Sequence, residues 1–234
     1  MTCINATPDV ETLLTGQHCY LIRKCLRPSD QYAIYQDVLN RSTDDLNNTA
    51  KPTCMYPSPK TIIFDGNQST LKFIDDNIYN QLIVKKANAS LQNIEEVHPH
   101  IAGDPNKIKM SVGVIRYSVT NGNFPEHIDH CNDNSWVYLL SLGRSANFVV
   151  QAGRRGEKRE FQFKRGDVLV FDPSSEAAIV HGVKSIGHDE DSFFAGKDDC
   201  ISEDFRRYRY GVQCRVKMQG LHYHKKCGIA TLNE

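Results

Sequence analysis

The sequence has no excess of charge, no closely paired cysteines and no long apolar run. Lys+Arg and Asp+Glu both number 28 in 234 residues, so the formal net charge is zero. A neutral chain exerts no general attraction on nucleic acid or on an acidic membrane, although a local basic patch still can. None of the eight cysteines forms a C-x-x-C pair, which argues against zinc ribbons and fingers. No segment approaches the ~20 apolar residues that span a bilayer, so we predict no membrane partner.

The N-terminus and the cysteines favour an intracellular protein. The segment MTCINATPDVETLL lacks the basic and apolar regions of a signal peptide. Scattered cysteines without an export signal are typical of reduced thiols, and we expect a cytoplasmic or nuclear location. A second metal site near the C-terminus is an alternative use for Cys214, His222, His224 and Cys227. Structural zinc ligands, however, usually come as close pairs.

The chain changes character near residue 108. Before it, RPSDQYAIYQDVLN and STLKFIDDNIYNQLIVKK place apolar residues at helical spacing. After it, short runs rich in β-branched and aromatic residues predict strands; they are KMSVGVIRYSV, WVYLLSL, ANFVVQ, REFQF, DVLVFD, AAIVHGV and RYRYGVQCRV. We therefore predict an α+β fold in one domain. It comprises an N-terminal helical layer or lid (1–107), a double-stranded β-helix, or jelly roll (108–220), and a tail (221–234).

The segment PEHIDHCND places His127 and Asp129 two positions apart. Alternate side chains of an extended segment point to the same face, and an imidazole and a carboxylate on one face can supply two ligands of a 2-His-1-carboxylate iron site. His181, in another predicted strand, is a candidate third ligand. The alternatives are a histidine held by a neighbouring carboxylate and a histidine buried in the core.

The segment RYRYGVQCR predicts a strand with two arginines on one face. Arg209, Gly211, Gln213 and Arg215 share that face by alternation. A buried arginine costs several kcal/mol unless an anion pairs with it. A dicarboxylate ligand would provide such anions, because guanidinium binds carboxylate through two parallel hydrogen bonds. The alternative is pairing with carboxylates of the protein on a solvated face.

Six segments then occur in a characteristic order: VIRY, HID, LLSLG, GDVLVF, VHGV and RYGVQCR. Their combination resembles the AlkB-like branch of the Fe(II)/2-oxoglutarate dioxygenases over residues 108–218. The resemblance implies that His127, Asp129 and His181 bind Fe(II). It implies that Tyr117, Arg209 and Arg215 hold 2-oxoglutarate and that O2 is the co-substrate. The implied reaction is hydroxylation of a C–H bond, which becomes oxidative demethylation when the carbon is an N-methyl group.

The departures from the family pattern concern the substrate. Cys131 stands where nucleobase-repairing members often carry an acidic residue, and Gly211 stands where an asparagine is expected. Asp133 and Asn132 are the candidate substitutes for the missing acid. Trp136 is a candidate for stacking on a base, with a role in the core as its alternative.

The charge pattern leaves the substrate class open. The segment GRRGEKREFQFKR predicts a basic hairpin that grips phosphates or, alternatively, a solvated sheet edge. Segment 187–205 has seven acidic residues against one lysine and predicts a solvated loop. One hypothesis is oxidation of a methylated nucleobase in DNA or RNA that is single-stranded or flipped out. The others are the same chemistry on a protein side chain or small metabolite, and an inactive binding module. No obligate protein partner is indicated.

Overall fold

The structure is a computed structural model of the chain. It describes residues 9–36, 62–64, 108–120, 122–129, 135–187, 202–218, 221–224 and 229–232. The second predicted helix, in STLKFIDDNIYNQLIVKK, lies outside these residues, as do Cys131, Asp133 and most of the acidic segment. Within the described part, no helix is long and apolar enough to cross a bilayer.

Most of the described residues belong to two antiparallel sheets. The large sheet has the order β1-β2-β9-β6-β11-β4-β3 and the small sheet has the order β5-β10-β7-β8. The large sheet comprises β1 (Asp9–Thr12), β2 (Cys19–Arg23), β3 (Ile62–Phe64), β4 (Ile108–Tyr117), β6 (Ser135–Gly143), β9 (Val168–Phe171) and β11 (Arg209–Met218). The small sheet comprises β5 (Phe124–His127), β7 (Ala146–Ala152), β8 (Lys158–Phe163) and β10 (Ile179–Ile186). Strands β12 (Leu221–His224) and β13 (Ile229–Leu232) pair with each other.

The main core lies between the two sheets. Val137 and Leu169 of the large sheet pack in one buried cluster with Phe148, Val150 and Ile179 of the small sheet. Two antiparallel sheets that close over a shared apolar core are the predicted double-stranded β-helix. The seven predicted strands correspond to β4, β6, β7, β8, β9, β10 and β11, which confirms the strand assignments.

A second core covers the outer face of the large sheet. Residues 28–36 form helix α1, as the Pro-Ser-Asp start signal predicts. Tyr35 of α1 packs against Tyr210 of β11, with ring centroids 5.0 Å apart. Trp136 and Tyr138 of β6 belong to the same buried cluster. Helix α1, the first of the two predicted N-terminal helices, therefore packs on the outer core.

The N-terminal part also contributes strands, which the sequence analysis did not predict. Strand β2 pairs with β9, and β1 pairs with β2, so both extend the large sheet. The run CYLIR is buried on both faces, since Leu21 faces the core between the sheets and Ile22 faces the outer core. Such a short apolar run has no alternation, so its sequence alone does not distinguish a strand from a helix.

The end of the acidic segment is also not a solvated loop. Glu203–Arg207 form helix α2, which begins after the capping residue Ser202. The Ser202 hydroxyl accepts a hydrogen bond from the backbone N–H of Phe205 at 3.3 Å. Phe205 is buried and packs against Tyr35 at 4.7 Å between ring centroids. One cap and one aromatic anchor therefore hold the end of this segment on the outer core.

Candidate metal centre and adjoining cavity

The three predicted ligands meet at the junction of β5 and β10. His127 ends β5 and lies directly opposite His181 in the antiparallel register. The centroids of the two imidazole rings are 4.3 Å apart. Asp129 lies two residues beyond the end of β5. Neighbouring strands therefore supply the two histidines, and the segment that leaves β5 supplies the carboxylate.

The ligand atoms of these side chains converge. Asp129 Oδ1 lies 3.4 Å from His127 Nε2 and 3.8 Å from His181 Nε2. The three side chains offer ligand atoms that all lie within 4.8 Å of one another. Within the part of the chain that the structure describes, no other group of three or more His, Cys, Asp or Glu residues has this geometry.

The hydrogen bonds of both histidines leave Nε2 available. His127 Nδ1 lies 2.9 Å from the carbonyl oxygen of Pro125, and His181 Nδ1 lies 3.3 Å from that of Ile179. A carbonyl oxygen only accepts, so each Nδ1 carries the hydrogen and each neutral imidazole has its lone pair on Nε2. Two lone pairs and an anionic oxygen thus face one point. In the metal-free protein a proton on His127 Nε2 can bridge to Asp129, in line with the raised pKa of His127. When that proton is absent, the three atoms match the 2-His-1-carboxylate set that binds Fe(II).

The second carboxylate oxygen of Asp129 is held from the large sheet. Arg215 donates to Asp129 Oδ2 at 3.0 Å, and Gln213 donates to the same oxygen at 3.3 Å. Both donors lie on β11 and share the face predicted by alternation. Asp129 is 11% exposed and Arg215 26% exposed. Arg215 therefore contacts the proposed metal ligand directly.

The two histidines have opposite pKa shifts. Burial lowers the pKa of His127, but hydrogen bonds to Asp129 and Pro125 and the charge of Asp129 outweigh burial and raise it overall. Burial lowers the pKa of His181 to about 4, with partial compensation by Asp129. Burial raises the pKa of Asp129, but the hydrogen bond from His127 and the nearby charges of His181 and Arg215 lower it overall. His181 is therefore neutral and Asp129 ionised at neutral pH.

A β-bulge brings His127 to this position. His181 pairs with His127 and Val183 pairs with Phe124, so two residues of β5 lie opposite the single residue Gly182. A Cβ atom on Gly182 would lie 2.9 Å from the carbonyl oxygen of Phe124 and 3.0 Å from the backbone of Glu126. Real Cβ contacts are longer, so β5 follows this path only beside a glycine. The path of β5 thus requires a glycine at this position of the VHGV segment.

An apolar cavity, partly open to solvent, adjoins the cluster. His127, His181 and Gln213 contribute its polar wall. The remaining lining is largely apolar: Ile115, Tyr117, Phe124, Val137, Leu139, Phe148, Phe171, Gly182 and Val183. His127 is 33% exposed and His181 is 8% exposed, so the cluster is reached from the side of His127.

Arg209 is a buried cation on the same face of β11. It is 1% exposed and lies opposite Tyr117 of β4, which lines the cavity. One terminal nitrogen donates to the Ser141 hydroxyl at 2.6 Å and to the Arg144 carbonyl oxygen at 3.1 Å, whereas Nε has no hydrogen-bond partner. Burial lowers the pKa of Arg209 to about 10, so the group stays charged at neutral pH. Among the described residues, no carboxylate forms a salt bridge with it.

The remaining site predictions have different outcomes. Trp136 is 2% exposed and lies in the outer core, on the side of the large sheet away from the cavity. This is the core position that the sequence analysis gave as the alternative to base stacking. Cys214 is a buried free thiol on the outer face of β11. Cys131, Asp133 and Cys227, and the side chains of His222 and His224, lie outside the described residues.

Some features of the site were not predicted from the sequence. Gln213 was placed on the correct face of β11 but was given no role, although it contacts Asp129. The Tyr117 ring packs against Gly211, where a Cβ atom would lie 3.4 Å from Cε2. At the position of the expected asparagine, a Cβ atom would thus meet the tyrosine ring at ordinary van der Waals distance.

Comparison with known proteins supports the fold. No protein-family model matches the chain, and no curated protein matches it. The solved structure of OsALKBH1 is 17% identical, with a TM-score of 0.50, over 90% of this chain and 100% of that chain. A Pseudomonas putida prolyl-4-hydroxylase is 11% identical, with a TM-score of 0.47, over 92% and 99%. A Trichoplax adhaerens prolyl hydroxylase is 13% identical, with a TM-score of 0.48, over 86% and 84%. The chain has the double-stranded β-helix fold, as its own sheet order shows.

Proposed function

We propose that the protein is an Fe(II)- and 2-oxoglutarate-dependent oxygenase that hydroxylates or oxidatively demethylates a methylated nucleobase in DNA or RNA. One observation carries the proposal: Nε2 of His127, Nε2 of His181 and Oδ1 of Asp129 converge beside a cavity. Fe(II), 2-oxoglutarate and O2 together would supply the oxidation of a C–H bond, with succinate and CO2 as the other products.

The residues of the chain would hold the metal and keep positions on it open. His127, His181 and Asp129 offer three ligand atoms, fewer than the six of octahedral coordination. The apolar cavity wall beside them limits the water around the bound groups. His127 lies on the solvent side, so a substrate would approach the metal from there.

A dicarboxylate fits the surroundings of Arg209, which pairs across the sheet with the cavity residue Tyr117 but does not itself line the cavity. Arg209 is buried, charged and without a salt bridge to the described carboxylates, and its Nε has no partner. A buried guanidinium in this state favours an anionic ligand. Tyr117 lies opposite Arg209 in the sheet and lines the cavity, so we assign these two residues to 2-oxoglutarate. Arg215 is assigned instead to Asp129, which it contacts directly.

The β7–β8 hairpin is the candidate contact for nucleic acid, but carboxylates of the protein already pair with two of its basic side chains. Lys158 pairs with Glu126 at 2.9 Å, and Arg159 pairs with Glu157 at 3.0 Å. Arg154 and Arg155 are exposed and have no salt bridge among the described residues. Two uncompensated arginines support a phosphate contact. The pairing of Lys158 and Arg159 favours the second candidate, the same oxidation on a protein side chain or small metabolite.

The test is a product measurement with methylated oligonucleotides. The protein is mixed with Fe(II), 2-oxoglutarate and air in the presence of methylated DNA or RNA, and succinate and formaldehyde are quantified by mass spectrometry. We expect formaldehyde in proportion to succinate with one methylated oligonucleotide, and none with the same unmethylated sequence. Asp129→Ala removes the anionic ligand and should abolish both products.

The outcomes separate the candidates. If succinate rises with a peptide or metabolite pool but does not rise with any oligonucleotide, the nucleobase is not the substrate and the second candidate is favoured. Failure of the wild-type protein to bind Fe(II) or Mn(II) under anaerobic conditions would contradict the oxygenase itself and leave the fold as a binding module.

A further inference from the structure

Gln213 stands apart from the predicted ligand set. It lies on β11 of the large sheet, whereas Asp129 follows β5 of the small sheet. Its neighbours on the adjacent strands are Leu139 and Gly113, so the flanking positions of β6 and β4 provide no polar side chain. Its side chain nevertheless reaches Asp129 and lines the cavity.

The chemistry of the contact fixes the orientation of the Gln213 amide. An ionised carboxylate only accepts hydrogen bonds, and Asp129 forms an ion pair with Arg215. The amide nitrogen of Gln213 must therefore face Asp129 Oδ2, at 3.3 Å. Arg215 donates to the same oxygen at 3.0 Å. Oδ2 thus receives two donors, while Oδ1 faces the two histidines.

We infer that Gln213 is a positioning residue that, together with Arg215, keeps Asp129 a one-oxygen ligand of the proposed metal. The inference rests on the proposed function. A carboxylate binds a metal through one or both oxygens, and two donors on Oδ2 oppose the rotation that would bring this oxygen to the metal. One-oxygen binding leaves one more position for other ligands. Hydrogen-bonding partners of metal ligands commonly contribute a factor of about 10–100 to metal affinity.

The test uses Mn(II), which binds oxygen and nitrogen ligands without oxidation in air. Gln213→Leu removes the donor at similar size in a largely apolar wall, and Gln213→Asn keeps the amide but shortens its reach. The matched control is Gln162→Leu on β8, an exposed glutamine that contacts Asn147 at 3.5 Å. The Kd is measured by calorimetry, and the number of waters on bound Mn(II) is measured by water-proton relaxation.

We expect both Gln213 variants to raise the Kd about tenfold and to lower the mean number of bound waters, because the released oxygen competes for the metal. Gln162→Leu should match the wild type in both quantities. An unchanged water number in Gln213→Leu and Gln213→Asn, whatever the Kd, would overturn the inference and leave the proposed function intact. A wild-type protein that binds no Mn(II) would instead overturn the proposed function, and this inference with it.

Discussion

At the scale of single residues, the two histidines face the same point but lie in different surroundings. His181 is buried beside Phe171, with ring centroids 4.7 Å apart, and burial lowers its pKa to about 4. His127 is partly exposed, and although burial lowers its pKa, contacts with Asp129 and Pro125 raise it overall. Of the two histidines in the cluster, His127 is therefore the one that gains or loses a proton near neutral pH in the metal-free protein. A metal ion must displace that proton to bind Nε2.

This difference predicts a one-proton pH dependence of metal binding. Above the raised pKa of His127 all three ligands are ready, so affinity is constant. As pH falls below that pKa, the Kd should rise about tenfold per pH unit down to pH 5. His181, with a pKa of about 4, adds no second proton in this range. Mn(II) calorimetry from pH 5 to 8 measures the slope; a slope of two protons would contradict the assignment to His127.

At the scale of secondary-structure elements, the bulge in β5 determines the site. It turns both Phe124 and His127 into the cavity although they are three positions apart. Their ring centroids are 4.7 Å apart. The bulge residues Pro125 and Glu126 lie against Gly182 of β10. The position of the first metal ligand therefore depends on a neighbouring strand without a side chain.

Gly182→Ala should displace β5 and weaken metal binding while the fold persists. The new Cβ atom would meet backbone at 2.9–3.0 Å, which cannot rotate away as a side chain can. We expect a rise in the Kd for Mn(II) of at least about tenfold, as for disrupted metal surroundings in general. Gly211→Ala is the matched control, because its Cβ atom would lie 3.4 Å from the Tyr117 ring. Equal loss in both variants would contradict the role of Gly182.

At the scale of the whole molecule, the predictable features were those encoded by local patterns. Alternation placed Arg209 and Arg215 on one face of β11 and brought His127 and Asp129 together. Strand β2 was missed because its apolar run is covered on both faces by partners distant in the sequence. The contact between Gln213 and Asp129 joins two sheets. The two residues are 84 positions apart in the chain, and no local pattern in the sequence predicts that they meet.

Ligand-induced stability tests whether the metal centre and Arg209 act within one folded unit. A ligand present at 100 times its Kd stabilises the native state by about 2.7 kcal/mol, which for a chain of this size raises Tm by about 5–10 °C. We expect Mn(II) to give one such increment, and 2-oxoglutarate to give a second that depends on Arg209. In Arg209→Met the second increment should vanish while the first remains.

Each increment is measured against the same variant without ligand, so any destabilisation by the substitution itself cancels. Arg155→Met, an exposed arginine in the β7–β8 hairpin, should keep both increments. Persistence of the 2-oxoglutarate increment in Arg209→Met would show that the dicarboxylate binds elsewhere.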